Sequence, residues 1–305
     1  MIESTADEYQ SSKYAKALAV AEAKVGKSSY LIASALGVLP WQQYGGIVDS
    51  PRNLHVITFD ANALGGIAKF LTETCGAPAE ALKFNVYNMQ DDVRAVSKMG
   101  SDWDYTLYNT FNEVVNKVGS KARGVPMVLV SSLTGLAQGL ERALAGPPGV
   151  KARGAGMDQS KWAAYAHWLS EIRNLVQQDD WHCWWEGHIY KPPATGQNQE
   201  SRPETLQISG KSGQNFAYNV EQVFRIRRRF GLKYKTSRVE ETYLDTAPTL
   251  DFISGGRSFT ESLKEKEADP TTVSAKLGLK VGQWNNRSGK SLKAGGSSSK
   301  KRSQQ

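Results

Sequence analysis

The sequence predicts an α/β domain, a mostly parallel sheet with helices on both faces. Two observations carry that expectation. Short apolar runs alternate with helix-patterned segments from Lys13 to about Lys235. One of those runs, Pro126–Val130, is apolar without a break, the pattern of a strand buried on both faces. A chain of 305 residues, 40% apolar and 22% charged, is long enough and apolar enough to bury such a core.

The elements follow in order. Residues 1–13 are polar and read as a flexible N-terminus. Lys16–Val20 reads as a short strand and Ser28–Leu36 as a helix, with Gly37 as its stop. Leu54–Phe59 is a strand, Gly65–Glu73 a helix and Phe84–Tyr87 a short strand. Tyr105–Lys117 and Leu133–Leu144 are helical on either side of the strand Met127–Val130. Asp158 or Ser160 can cap the next helix, which sets Trp162, Ala166, Leu169, Ile172 and Val176 on one face. Trp181–Tyr190 is a strand, followed by a long polar loop over 191–207, and Val220–Phe230 is the last strand of a core spanning 14–235. Residues 236–269 are weakly patterned and read as a C-terminal extension. Residues 270–305, ending in a Gly/Ser/Lys-rich stretch, read as a basic, largely disordered tail.

Charge separates these parts. The net charge is +8, and the segment 270–305 holds eight basic residues and no acid, so the other 269 residues are neutral overall. The tail is therefore the candidate electrostatic anchor. Two distant cysteines, Cys75 and Cys183, exclude a disulfide framework and fit a reducing compartment. The four histidines lack metal-ligand spacing. The N-terminus carries Glu3, Asp7 and Glu8 without a basic-then-apolar pattern, so no secretory leader is expected. No apolar run approaches the roughly 18 residues of a membrane span. A cytoplasmic protein with no membrane partner is expected.

The triplet Gly-Lys-Ser occurs at 26–28, 210–212 and 289–291. Only the first follows an apolar strand and opens an apolar helix, which aims backbone N–H groups and the positive helix end at one spot. Ala23, Lys24, Val25, Gly26, Lys27, Ser28 and Ser29 form a candidate ATP cradle. Lys27 would neutralise phosphate charge and the Ser28 hydroxyl would hold Mg²⁺. The full phosphate-loop pattern wants glycine at 21, where this chain has alanine, and Glu22 adds a negative charge nearby. An ordinary strand–turn–helix with a chance triplet is the alternative.

A nucleotide hydrolase also wants an acid near the metal and another near the attacking water. The strand Met127–Val130 ends at Ser131, a hydroxyl where a carboxylate is usual, so Ser131 is the candidate metal-associated residue. Asp60, at the end of Leu54–Phe59, is the candidate acid near the water, or else a helix cap. Glu186 and His188 share a face of the strand 181–190 with His182 and Trp184. His188 could sense the γ-phosphate or be a structural histidine.

In this order the motifs AEAKVGKSSY at 21–30, VITFDANALGGI at 56–67, VPMVLVSSLTGLA at 125–137, WEGHIY at 185–190 and GKSGQNFAYNVEQVFRIRRR at 210–229 resemble the RecA-like P-loop ATPase core. They resemble in particular the small phage-encoded RecA-like or AAA-type ATPases of recombination, over about 14–230. The resemblance implies an ATP-binding, Mg²⁺-using protein that acts on single-stranded DNA in phage recombination or replication in the host cytoplasm, and that could self-associate. The departures at Ala21 and Ser131 leave a second reading, a nucleotide-binding interaction protein that does not hydrolyse. The resemblance also implies two DNA-contacting loops. One is 145–157, rich in glycine and carrying Lys151 and Arg153; the other is about 191–213, with Lys191, Arg202 and Lys211. The first could instead be a surface connection; a loop as long as the second is usually functional or disordered. Alternation over 224–235 would bury Phe224 and Ile226 and turn Arg225 and Arg227 outward, to line a nucleic-acid groove or guard an edge strand. Trp162, Trp168, Trp181, Trp184 and Trp185 are expected to pack the core rather than stack on bases.

Overall fold

The computed structural model describes residues 13–22, 25–42, 44–59, 64–91, 106–121, 124–145, 157–178, 180–190, 205–209, 215–217, 219–233, 236–245, 255–256, 269–282 and 284. For 106–107, 121, 205, 227–233, 236–245 and 255–256 it describes the backbone course alone.

The main strands are β1 (Lys16–Ala21), β2 (Leu54–Thr58), β3 (Asn85–Asn88), β4 (Met127–Ser131) and β5 (His182–Tyr190). They are followed by β6 (Thr205–Leu206), β7 (Gln222–Lys233), β8 (Thr236–Asp245) and β9 (Gly255–Gly256). They form a sheet of order β3-β2-β4-β5-β1-β7-β8. The first six in that order are mutually parallel, and β8 joins antiparallel at the edge. The two-residue strands β6 and β9 pair antiparallel with β5 and β7. β5 lies between β1 and β4, so residues of β1, β4 and β5 meet at the carboxyl ends of the central strands. This is the α/β arrangement, a mostly parallel sheet with helices on both faces, that the sequence led one to expect.

Helices cover both faces. α1 (Lys27–Ala35) and α2 (Ile67–Lys69), continued by a π-helical turn over Phe70–Thr74, bury Leu31, Ile67 and Leu71 against Leu54, Val56, Leu129 and Trp184. On the other face lie α3 (Thr106–Lys121), α4 (Leu133–Ala145) and α5 (Gln159–Val176). The spacing Phe111, Val114, Val115, Val118 on α3 and Tyr165, Leu169, Ile172, Val176 on α5 is one helical stripe in each case, and both stripes are buried. Asp158 caps α5 by accepting from the Lys161 N–H, whereas Ala166, expected in that stripe, is exposed. Gly37 ends the first helix at φ 64°, and a Cβ there would lie 2.3 Å from the Gly46 nitrogen, so the turn admits glycine only. Trp181, Trp184 and Trp185 are buried, and Trp162 and Trp168 pack half-buried against the core, as expected of packing residues.

The structure departs from the expected tail. Asp269 caps a short helix, α6 (Pro270–Lys276), and the chain from Asp269 to Gly282, with Trp284, is docked on the body. Val273 and Thr271 are fully buried, Ser34 Oγ donates to Asp269 Oδ1 at 2.7 Å, and Thr271 Oγ1 donates to the Ser34 carbonyl at 2.7 Å. The start of the expected tail is thus part of the fold, because buried partners satisfy its polar groups. Residues 285–305 lie outside the described residues. A second departure is β8, a ten-residue strand within a segment that reads as weakly patterned. Among the described residues no helix is long and apolar enough to cross a membrane.

Candidate functional site

The turn from β1 into α1 leaves backbone donors open at a helix N-terminus. Gly26 stands at the helix N-cap with φ 73°, a left-handed conformation that a Cβ would strain. The first intrahelical bond runs from the Tyr30 N–H to the Gly26 carbonyl, so the N–H groups of Lys27, Ser28 and Ser29 are left over from the helix ladder. Among the described residues no side chain caps this end, and its first turn carries no acid. Open N–H groups and the positive helix end therefore coincide.

Three side chains converge beside this turn. Ser28 Oγ donates to Glu186 Oε2 at 2.7 Å and lies 3.2 Å from Ser131 Oγ. The sheet causes the meeting: Ser131 on β4 and Ala19 on β1 both lie in register with Glu186 on β5. Lys27, Ser131 and Glu186 are each 3% exposed. The Lys27 ammonium donates to the Glu22 carbonyl at 2.9 Å. Burial lowers its pKa, and the charge of Glu186 acts in the opposite sense. His188 is half-buried two residues along β5, and its backbone N–H donates to Thr134 Oγ1 at 2.9 Å. Burial, and after it the charge of Lys27, push its imidazole down to about 4. Neutral at ordinary pH, that ring can donate or accept a hydrogen bond without adding charge.

The structure thus brings together Val25, Gly26, Lys27, Ser28, Ser29, Ser131 and His188 of the expected site, and it adds Glu186. Sequence reading placed Glu186 on the right face but gave it no task. The signal was available: with no acid at 131, a carboxylate on a face shared with His188 was a candidate replacement. Among the described residues no three His, Cys, Asp or Glu side chains cluster as a metal site. One carboxylate with two hydroxyls nevertheless suits Mg²⁺, which keeps waters and takes its remaining oxygens from phosphate.

Ala23, Lys24, Asp60, Lys151, Arg153, Lys191, Arg202 and Lys211 lie outside the described residues. Phe224 and Ile226 are buried as expected, but Arg225, expected to point outward, is only 8% exposed. Its strand is flanked on both sides, by β1 and by β8, which pairs Arg225 with Asp245; a strand with neighbours on both edges is no exposed rim. Arg227 pairs with Tyr243 in the same ladder, and its side chain lies outside the described residues.

No family model matches the sequence, and no curated protein matches it. Among solved structures the chain is similar to a RadB recombinase, at 11% identity and TM-score 0.38, over 76% of this chain and 88% of that one. It is also similar to an ATPase from the type III secretion system of pathogenic bacteria, at 10% identity and TM-score 0.40. That match covers 70% of this chain and 51% of the other, so the chain spans about half the length of that ATPase. Likenesses this distant carry nothing about activity or partners.

Proposed function

We propose that the chain binds ATP with Mg²⁺ at the turn between β1 and α1 and acts as a RecA-like ATPase on single-stranded DNA, in phage recombination or replication. The observation that carries the nucleotide reading is the coincidence of left-handed Gly26, the open N–H groups of α1 and a buried Lys27 whose ammonium is held, among the described residues, by a single loop carbonyl. Phosphate oxygens would accept from those N–H groups and take over Lys27 from Glu22. Ser28 would ligate Mg²⁺, which neutralises phosphate charge and aligns its oxygens. His188 would meet the terminal phosphate, and Asp60 would orient water.

DNA binding is the outer part of the reading. It rests on Lys151, Arg153, Lys191, Arg202 and Lys211 in the two loops and on the basic residues beyond Trp284. Buried Arg225 is withdrawn from that set. The second reading, nucleotide binding without turnover, is favoured by the neutral Ser131 at the end of β4.

The test is calorimetric titration of Mg-ATP into the parent and Lys27→Ala, with turnover measured with and without single-stranded DNA. ATP binding lost in Lys27→Ala, with DNA-stimulated turnover in the parent, is the expected outcome. Undiminished binding in Lys27→Ala sinks the nucleotide assignment. Binding without turnover selects the second reading.

A further inference from the structure

Resting on that nucleotide reading, we infer that Glu186, and not residue 131, is the carboxylate that serves the Mg²⁺ site: the acid has moved one strand over, from the end of β4 to β5. A hydroxyl that ligates a cation does so through a lone pair, and its proton must go elsewhere. Ser28 already sends that proton to Glu186 Oε2, at 2.7 Å, which leaves its lone pairs for a cation. Ser131 is 3.2 Å from the same hydroxyl and in register with Glu186, so the neutral and charged side chains flank one point.

The surroundings of Glu186 themselves argue for a cation. The carboxylate is 3% exposed, and among the described residues its hydrogen bond comes from one neutral hydroxyl. A buried carboxylate has about four acceptor positions and is costly to hold with so little compensation. Lys27 does not supply a direct ion pair. Its ammonium is bound to the Glu22 carbonyl, and its charge acts on Glu186 only at a distance. A divalent cation arriving with phosphate supplies the missing positive charge, and Glu186 supplies the negative charge that Ser131 lacks.

The test separates metal from nucleotide. ATP affinity is measured by calorimetry with and without Mg²⁺, and Mn²⁺ affinity in the presence of ATP by electron paramagnetic resonance. In the parent, Mg²⁺ should tighten ATP binding about tenfold or more. Glu186→Gln should abolish that gain and weaken Mn²⁺ by a similar factor, while metal-free ATP binding stays within about threefold. Adding Ser131→Asp to Glu186→Gln should restore the gain, which a merely structural role for Glu186 does not allow. If Glu186→Gln does not fold, Glu186→Asp, which keeps the charge but withdraws it, should lower Mn²⁺ affinity alone. An unchanged metal dependence in Glu186→Gln, or in Glu186→Asp where that variant stands in, overturns the inference and leaves the nucleotide reading intact. A parent that binds ATP under neither condition overturns both.

Discussion

A lysine and a histidine stand at or near each end of the strand pair β1–β5, Lys27 from the start of α1, and the two ends treat them differently. At the entry end, Lys16 and His182 are buried. Lys16 Nζ donates to the carbonyls of Gln178 and Trp181. His182 Nδ1 accepts from the Ala15 N–H at 2.8 Å, so Nε2 carries the proton and donates to the Lys280 carbonyl at 2.5 Å. At the exit end, Lys27 has one carbonyl, and the His188 ring has no hydrogen-bond partner among the described residues. The same two residue types close a structure at one end and stand ready at the other. The segment Asp269–Gly282 is folded over the entry end, while the exit end is the carboxyl side of the strands, where parallel α/β sheets commonly bind ligands.

The strongest way to break this comparison is to uncover the entry end. Ending the chain after residue 268 removes buried Val273, the Asp269–Ser34–Thr271 hydrogen bonds and the Lys280 carbonyl that holds His182. A loss of roughly 3–5 kcal/mol is expected, the scale of a core side chain plus a buried polar network. Ending it after Trp284 should leave thermal unfolding unchanged while removing six basic residues. That shorter chain is also the one for asking how much DNA affinity the far C-terminus supplies. Each phosphate that the truncated chain no longer neutralises should lower the log–log salt slope by about 0.7. Equal melting temperatures for the two truncations would mean that the segment closes nothing.

A sharper contrast exchanges the lysines. Lys16→Met strands the Gln178 and Trp181 carbonyls and should cost about 2–4 kcal/mol in denaturant unfolding, with ATP binding retained by the folded fraction. Lys27→Met removes a buried charge held, among the described residues, by one hydrogen bond, so stability should stay within about 1 kcal/mol of the parent. ATP affinity should fall by more than about tenfold. If both variants lose stability alike, Lys27 is a structural lysine and the two ends do not differ in kind.

How far the sequence discloses these ends depends on the distance over which each is assembled. The turn at Gly26–Ser28 is legible because strand, glycine, lysine and helix lie within about twenty residues, and the triplet's two other copies lack that setting. The stripes of α3 and α5 are legible for the same local reason. Glu186 is not, because its meaning comes from register with Ser131 on a strand 55 residues earlier. Asp269 falls in the weakly patterned extension and Thr271 and Thr272 in the expected disordered tail, yet all three are buried, with Ser34, 235 residues away from Asp269, among their partners. Arg225 misled through the same gap: alternation assigns faces, but both faces of a central strand are covered.

The smallest expected effect, and the finest test, is pH. Burial pushes His182 down to about 3, against the pull of the Lys280 carbonyl, while the charges of Lys16 and Lys280 push it down further. His188 sits at about 4. In both cases the folded state prefers the neutral ring and the unfolded chain takes up a proton below about 6.5. Their contribution is therefore complete above 6.5 and is lost as pH falls towards about 3 for His182 and about 4 for His188. For His182 the slope is at most about 1.4 kcal/mol per pH unit; half-exposed His188 should give less, because solvent screens it. Asp269 works the other way. Burial raises its pKa, so its contribution is present below the unfolded value and is lost as pH rises through the folded value. Urea unfolding between pH 7 and 5 should accordingly be flatter in His182→Gln than in the parent, and only slightly flatter in His188→Gln. Mg-ATP then separates the ends. Phosphate charge beside His188 favours its protonated form, so lowering the pH from 7 to 5 should strengthen ATP binding in the parent relative to His188→Gln, a difference in which ATP's own titration cancels. His182→Gln should leave that pH dependence of binding unchanged. A parent and His188→Gln with identical binding profiles would place the phosphates away from His188 and remove the exit end's claim to be the waiting one.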